Sequence, residues 1–164
     1  MRLNKKGFTL VELLAVIVVL AIIMIIAIPA VVESMNNAKK GSFKIYAEKA
    51  LGNAQSTYSS EDLLDTVSAK KYSGDTCFCY TLDQIGLKSR GSYDGYVIVK
   101  LDNKREASYY VTLTDKSYNV VNGTYANLGT EIKEGVGSVT KTCPEACPTT
   151  PAADNNQNPN QGQS

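Results

Sequence analysis

The 164-residue sequence contains no histidine and no tryptophan, which excludes histidine-based proton transfer and histidine metal sites. It also lacks a charge bias: 17 Lys and Arg stand against 16 Asp and Glu, a formal net charge of +1. A nucleic-acid binder driven by bulk electrostatics is thereby disfavoured, and no specific nucleic-acid binding is expected. There is no GxxxxGK[ST] phosphate loop, no nucleophile–base pair and no cluster of carboxylates on one predicted face. An enzymatic reading has no support, and no cofactor is called for. Proline is scarce and lopsided, with four of the five at Pro144, Pro148, Pro151 and Pro159. Four cysteines are the only special side chains that remain.

What is abundant is apolar length. Leu13 to Val32 is a run of 20 residues without a charge, interrupted only by Pro29. A spanning helix needs about 20 residues at 1.5 Å rise, so this run can cross a bilayer. Arg2, Lys5 and Lys6 precede it while Lys39, Lys40, Lys44 and Lys49 follow, so flanking charge does not by itself fix the orientation. As a cleaved secretory signal the run is too long, because such cores are usually about 7–15 residues, and Ile28 sits poorly three places before a cut after Ala30. As a plain signal anchor it leaves Glu12 unexplained. A carboxylate inside the otherwise apolar 8–32 segment costs on the order of 3 kcal/mol near the bilayer centre and less towards an end. Such a residue needs a partner.

The run Lys5-Lys6-Gly7-Phe8-Thr9-Leu10-Val11-Glu12-Leu13 resembles the amino terminus of type IV prepilins and pseudopilins. The shared pattern is a short basic leader, a glycine, a phenylalanine, a lone glutamate four residues on, then an apolar helix with a proline, here Pro29. The resemblance implies a leader of residues 1–7, cleavage between Gly7 and Phe8 by a membrane-bound prepilin peptidase, and N-methylation of Phe8. It implies assembly into a filament through the 8–32 helix, with Phe8, Glu12 and Pro29 as the assembly residues. Implied partners are other pilin subunits, the peptidase and a pilus assembly platform in the membrane. The physics fits: a free α-amino group has a reference pKa near about 8, so the Phe8 amine can neutralise the Glu12 carboxylate of a neighbour. Pro29 lacks an N–H and should kink or locally melt the helix near Ile25 and Ile26, its bland alternative being a tolerated membrane-helix proline.

Beyond Val32 the chain stays helical and turns amphipathic. Phe43, Ala47, Ala50, Ala54 and Tyr58 recur at helical spacing among polar residues, which predicts one face able to cover a core. Glu61 to about Lys71 reads as a separate short helix with Ser60 as N-cap. Thr81 and Gln84 form a capping-box pattern opening a turn that ends at Gly86. Tyr96–Leu101 and Ala107–Thr114 read as strands joined by the turn Asp102–Arg105. Tyr118–Val121 reads as a third strand, and Asn122-Gly123 as a hairpin turn into a fourth at Thr124–Leu128. The expected fold class is α+β: a long N-terminal helix packed on a small antiparallel meander of three or four strands. Of the ten tyrosines most are strand residues, Tyr109 and Tyr110 pointing to opposite faces, and the turn reading of Asn122-Gly123-Thr124 is preferred over a glycosylation sequon.

Cys77, Cys79, Cys143 and Cys147 admit a four-thiolate zinc site or disulfides. Cys77-x-Cys79 is tight for zinc, whose paired ligands are typically spaced by about two to four residues. A Cys77–Cys79 ring is too small for relaxed disulfide geometry. With the head outside the membrane, as the family implies, the thiols should pair. Two disulfides joining the 77/79 pair to the 143/147 pair are expected, in either of two connectivities. The segment after Cys147, rich in Pro, Asn, Gln, Gly and Ser, reads as a disordered tail, residues 149–164. The head is then residues 33–148. The resulting reading is a structural subunit of a type IV pilus, serving adhesion, motility, aggregation or DNA uptake. It would be held in the cytoplasmic membrane with its N-terminus cytoplasmic before assembly and would lie outside the cell afterwards. The alternatives are a pseudopilin of a secretion or competence system and a monomeric membrane-anchored surface binding protein.

Overall fold

The computed structural model describes residues 9–72, 74, 76–87, 93–137 and 139–148. Its first element is a single helix of 54 residues, α1 (Leu10–Leu63), followed by β1 (Lys70–Lys71), β2 (Cys77–Thr81), β3 (Asp94–Leu101), β4 (Ala107–Thr114), β5 (Tyr118–Gly123), α2 (Leu128–Glu131) and β6 (Lys133–Glu134). The six strands form one sheet in sequence order, each antiparallel to the next. This is the expected α+β class with a pilin-like architecture: a long N-terminal helix, then an antiparallel meander. Two compact units divide the chain, Met1–Ser42 and Phe43–Ser164. The division falls just before Phe43, the first buried residue of α1.

In the second unit, helix and sheet meet through the face expected from the periodicity. Phe43, Ala47, Ala50, Ala54 and Tyr58, with Leu51 added, are buried against Phe78, Tyr80, Val97, Val99, Val111, Leu113 and Val120. The alanines let the helix lie close to the sheet, and Phe43 and Tyr58 fill its two ends, Tyr58 tilted on Phe78 with ring centroids 5.4 Å apart. Tyr109 belongs to this core, whereas Tyr110 lies on the opposite face of the sheet.

Three expectations fail. No separate helix starts at Ser60: its hydroxyl bonds back to the carbonyls of Ser56 and Thr57 inside α1. The helix ends only at Leu63, in a Schellman arrangement where Thr66 N–H reaches the Glu61 carbonyl and Asp65 takes a left-handed φ of 52°. Nor is Asn122-Gly123 a hairpin turn. The register between β4 and β5 shifts between Val111 and Leu113, and Asn122, with φ 54°, sits in the resulting bulge. Thr124 to Leu128 then forms no strand: Asn127 Oδ1 accepts from the Thr124 N–H and hydroxyl, closing a turn into α2. Finally, the sheet has six strands in place of three or four, because β1, β2 and β6 join β3, β4 and β5. In β2 the alternation Cys77-Phe78-Cys79-Tyr80 is a strand pattern whose cysteines drew attention as chemistry instead. The Thr81–Gln84 capping box is present as expected, Gln84 Oε1 accepting from Thr81 N–H at 2.9 Å.

Candidate functional site

The first unit carries Glu12 and Pro29, two of the residues expected to act in assembly. Thr9 caps α1: its carbonyl accepts the N–H of Leu13, its N–H and hydroxyl donate to Glu12 Oε2 at 2.9 and 3.0 Å, and its Oγ1 accepts the Glu12 N–H at 3.3 Å. This is a capping box, the same S/T-x-x-E/Q logic found at Thr81. The spacing was in the sequence and was overshadowed by the position of Glu12 in an apolar run. Glu12 is thus placed in the first helical turn, with its carboxylate satisfied locally. Gly7 and Phe8 lie outside the described residues. Pro29 stands inside α1, and the chain remains helical through it, so the local melting expected near Ile25 and Ile26 is absent from the single chain. A proline removes only its own N–H from the ladder, and the flanking turns hold the helix.

Every residue from Thr9 to Ser42 is exposed. The best 18-residue window of α1 has a mean hydropathy of 3.3 and no buried surface, so the helix is long and apolar enough to cross a membrane. Apolar side chains such as Ile25 and Ile26, each 74% exposed, need lipid or other apolar helices as surroundings, since large exposed apolar patches mark interaction surfaces.

The second unit carries a clasp. After β6 the chain returns across the sheet face that α1 leaves free. Gly135 N–H donates to the Ser117 carbonyl, Gly137 N–H to Thr114 Oγ1, and Lys141 pairs with Asp94 at 3.4 Å. Disulfides Cys79–Cys143 and Cys77–Cys147 then fasten it to β2. Cys77 and Cys79 are two apart on one strand and share that face, beside Ile98, Tyr72, Tyr96 and Tyr110. No described cysteine is free, so the zinc alternative does not hold, and the connectivity is one of the two that spacing left open. The proline after each cysteine of this returning strap offers its carbonyl to donor side chains: Lys70 Nζ and Tyr72 hydroxyl donate to Pro144 at 2.7 and 2.8 Å, and Lys100 Nζ donates to Pro148. Burial holds the Lys100 ammonium below its ordinary pKa. Sequence reasoning does not find these lysines because nothing local links them to residues 74 and 48 positions away. The 149–164 tail lies outside the described residues.

A second fastening closes the far end of α1. Glu61 accepts from Ser68 N–H, Ser68 hydroxyl and Tyr80 hydroxyl at 3.0, 2.5 and 2.7 Å. Burial alone would raise the Glu61 carboxyl, but these three donors outweigh it and hold it below its ordinary value. Tyr80 is pushed well above the usual tyrosine range by burial and by the Glu61 carboxylate. A small cleft lined by Leu82, Asp83, Tyr93, Asp94, Gly95 and Lys141 has a volume of about 30 Å³, room for water rather than for a substrate.

Residues 2–28 match the family model described as the prokaryotic N-terminal methylation motif, the class III signal peptide of type IV pilins. No curated protein and no solved structure matches the chain. The motif, the apolar helix behind it and the disulfide-fastened α+β head support a type IV pilin-like or pseudopilin-like protein. The motif marks structural, pilin-type proteins rather than an enzyme family. It implies processing by prepilin peptidase and assembly with other pilins, and it fits membrane anchoring through α1.

Proposed function

We propose that the chain is a subunit of a type IV pilus. The leader, residues 1–7, is removed between Gly7 and Phe8, and Phe8 is N-methylated. Mature copies assemble through α1, with the Glu12 carboxylate pairing with the Phe8 amine of a neighbour and Pro29 lending the helix local adaptability. The head is displayed outside the cell, where the disulfides form. The observation that carries this reading is the methylation motif at residues 2–28, which takes in most of the exposed apolar stretch of α1. The partners are further copies of the chain, the peptidase and the membrane assembly platform.

Shearing cells and examining the released material tests the reading: filaments containing this chain are expected. A chain found only in the membrane fraction, with loss of secretion or transformation on deletion, would make it a pseudopilin instead. The six-stranded sheet favours the pilin, because the smallest competence-type pseudopilins have a head without a sheet.

A further inference from the structure

The amphipathic half of α1 sorts its charges by sign. From Asn36 to Gly52 it carries Lys39, Lys40, Lys44 and Lys49 against Glu48 alone, which Lys44 approaches to 3.7 Å. From Asn53 to Ala69 the chain carries Glu61, Asp62 and Asp65 and no base. An acidic last turn opposes the helix dipole, which favours cations there, and α1 has no basic residue in that turn. Glu61 is occupied by Ser68 and Tyr80, and Asp65 suits the left-handed φ that ends the helix. Neither Asp62 nor Asp65 has an ion pair among the described residues. Each charged stretch also shows apolar side chains that cover nothing in the single chain. Leu63 and Leu64, between the two aspartates, are 87% and 72% exposed, and Ile45, among the lysines, is 67% exposed. The last α1 residue in the core is Tyr58. The rise along α1 from Ile45 to Leu63 is roughly 27 Å, so the two stretches cannot meet within one head.

We propose that the acidic, leucine-bearing end of α1 in one copy docks on the lysine-bearing stretch around Ile45 in a second copy of this chain. The charge signs are complementary, and each side has apolar surface to be covered. Two different patches joined in this way make a head-to-tail contact. Each copy of a docked pair then keeps one patch free for the next copy, so the contact adds subunits without closing on a pair. The inference rests on the pilus reading and adds a contact between heads to assembly through the apolar part of α1.

The test is a charge exchange in the full-length chain, made as the sole copy of the subunit and read as filament yield in the sheared fraction. Asp62→Lys with Asp65→Asn reverses the acidic end and keeps a residue suited to a left-handed φ. Lys39→Glu with Lys40→Glu reverses the other side. Each pair alone should lower the yield by about tenfold or more, because it sets like charges together, and the four changes combined should restore most of it. Wild-type yield from either pair would overturn the proposal, as would failure of the combined variant to recover in a chain that keeps the wild-type Tm. Carbodiimide coupling, which joins a carboxylate directly to an ammonium in contact with it, gives a second readout. In wild-type filaments it should link a peptide holding Asp62 or Asp65 to one holding Lys39, Lys40 or Lys49, a link that cannot form inside one head. Absence of that link would overturn the docking whatever the variants do. If the wild type sheds no filaments, the pilus reading fails, and the same coupling in membranes then decides the contact by itself.

Discussion

Glu12 has one role in the structure and a second in the proposed function, and one substitution can separate them. In the single chain its carboxylate completes the Thr9 capping box. In the filament its charge is proposed to meet a neighbour's Phe8 amine. A capping box accepts Gln in place of Glu, so Glu12→Gln preserves the helix start while removing the charge. In Glu12→Ala the Thr9 Oγ1 still caps the residue-12 N–H. Both variants should therefore be cut and retained in the membrane, and both should yield few filaments in the sheared fraction. Wild-type filament yield from Glu12→Gln, as sole copy of the subunit, would show that the charge is dispensable. Glu61 offers a second test at this scale. Its folded pKa is depressed, so its contribution is complete above the unfolded value of about 4.3 and disappears as pH falls through the lower folded value. Thermal melts between about pH 5 and pH 3 should show declining Tm, and Glu61→Gln should flatten that decline.

At the scale of elements, what was legible in the sequence depended on whether a segment's environment has one periodicity. α1 declared itself twice, by an unbroken apolar run and then by Phe43, Ala47, Ala50, Ala54 and Tyr58 at helical spacing, because each half faces a single kind of surroundings. β3 and β4 were legible from their β-branched and aromatic residues on either side of a polar turn, although both contain runs buried on both faces. β2 was not: Cys77 to Tyr80 are all buried, since α1 covers one face and the returning strap the other, and the strap's position is a long-range fact. The bulge at Asn122 misled for a related reason, the left-handed preference of Asn serving a bulge as well as a hairpin. The strap also makes the two disulfides non-additive. They are nested, with separations of 70 and 64 residues. Closing either one alone constrains a loop of roughly 65–70 residues and is worth about 4 kcal/mol in the chain-entropy model. Once one exists, the other closes only a ring of eight residues, three from β2 and five from the strap, worth about 2.5 kcal/mol. Cys77→Ser with Cys147→Ser should thus lower unfolding free energy by about 2.5 kcal/mol, and loss of all four cysteines by about 7 kcal/mol. Denaturant melts of the membrane-extracted chain check this, and additive losses of about 4 kcal/mol per bond would contradict the nested account.

The whole molecule places its exposed apolar surface and its self-protection in different parts. Both edges of the sheet are two residues long and charged, Lys70–Lys71 and Lys133–Glu134, which blunts edge-to-edge pairing. The surface this leaves for the proposed association is the N-terminal part of α1, whose large apolar residues from Leu10 to Met35 are exposed in the single chain and whose start lies beside the proposed cut. Removing residues 1–7 takes away Arg2, Lys5 and Lys6 and no acidic residue, leaving 14 basic against 16 acidic residues and a net charge of −2. The mature subunit is then 157 residues long and slightly acidic, with its cationic flank replaced by one N-terminal amine four residues from Glu12. A single mass measurement on surface-derived protein reads all of this at once. The expected value is that of residues 8–164 plus one CH2, as a methyl replaces an amine hydrogen, and minus four hydrogens, two for each disulfide. Reduction and alkylation should then add four alkyl groups, and none should be added without reduction. A mass beginning at Met1 would refute the cut, one beginning near Val31 would restore the secretory-signal alternative, and alkylation of unreduced protein would show that the clasp does not close in the cell.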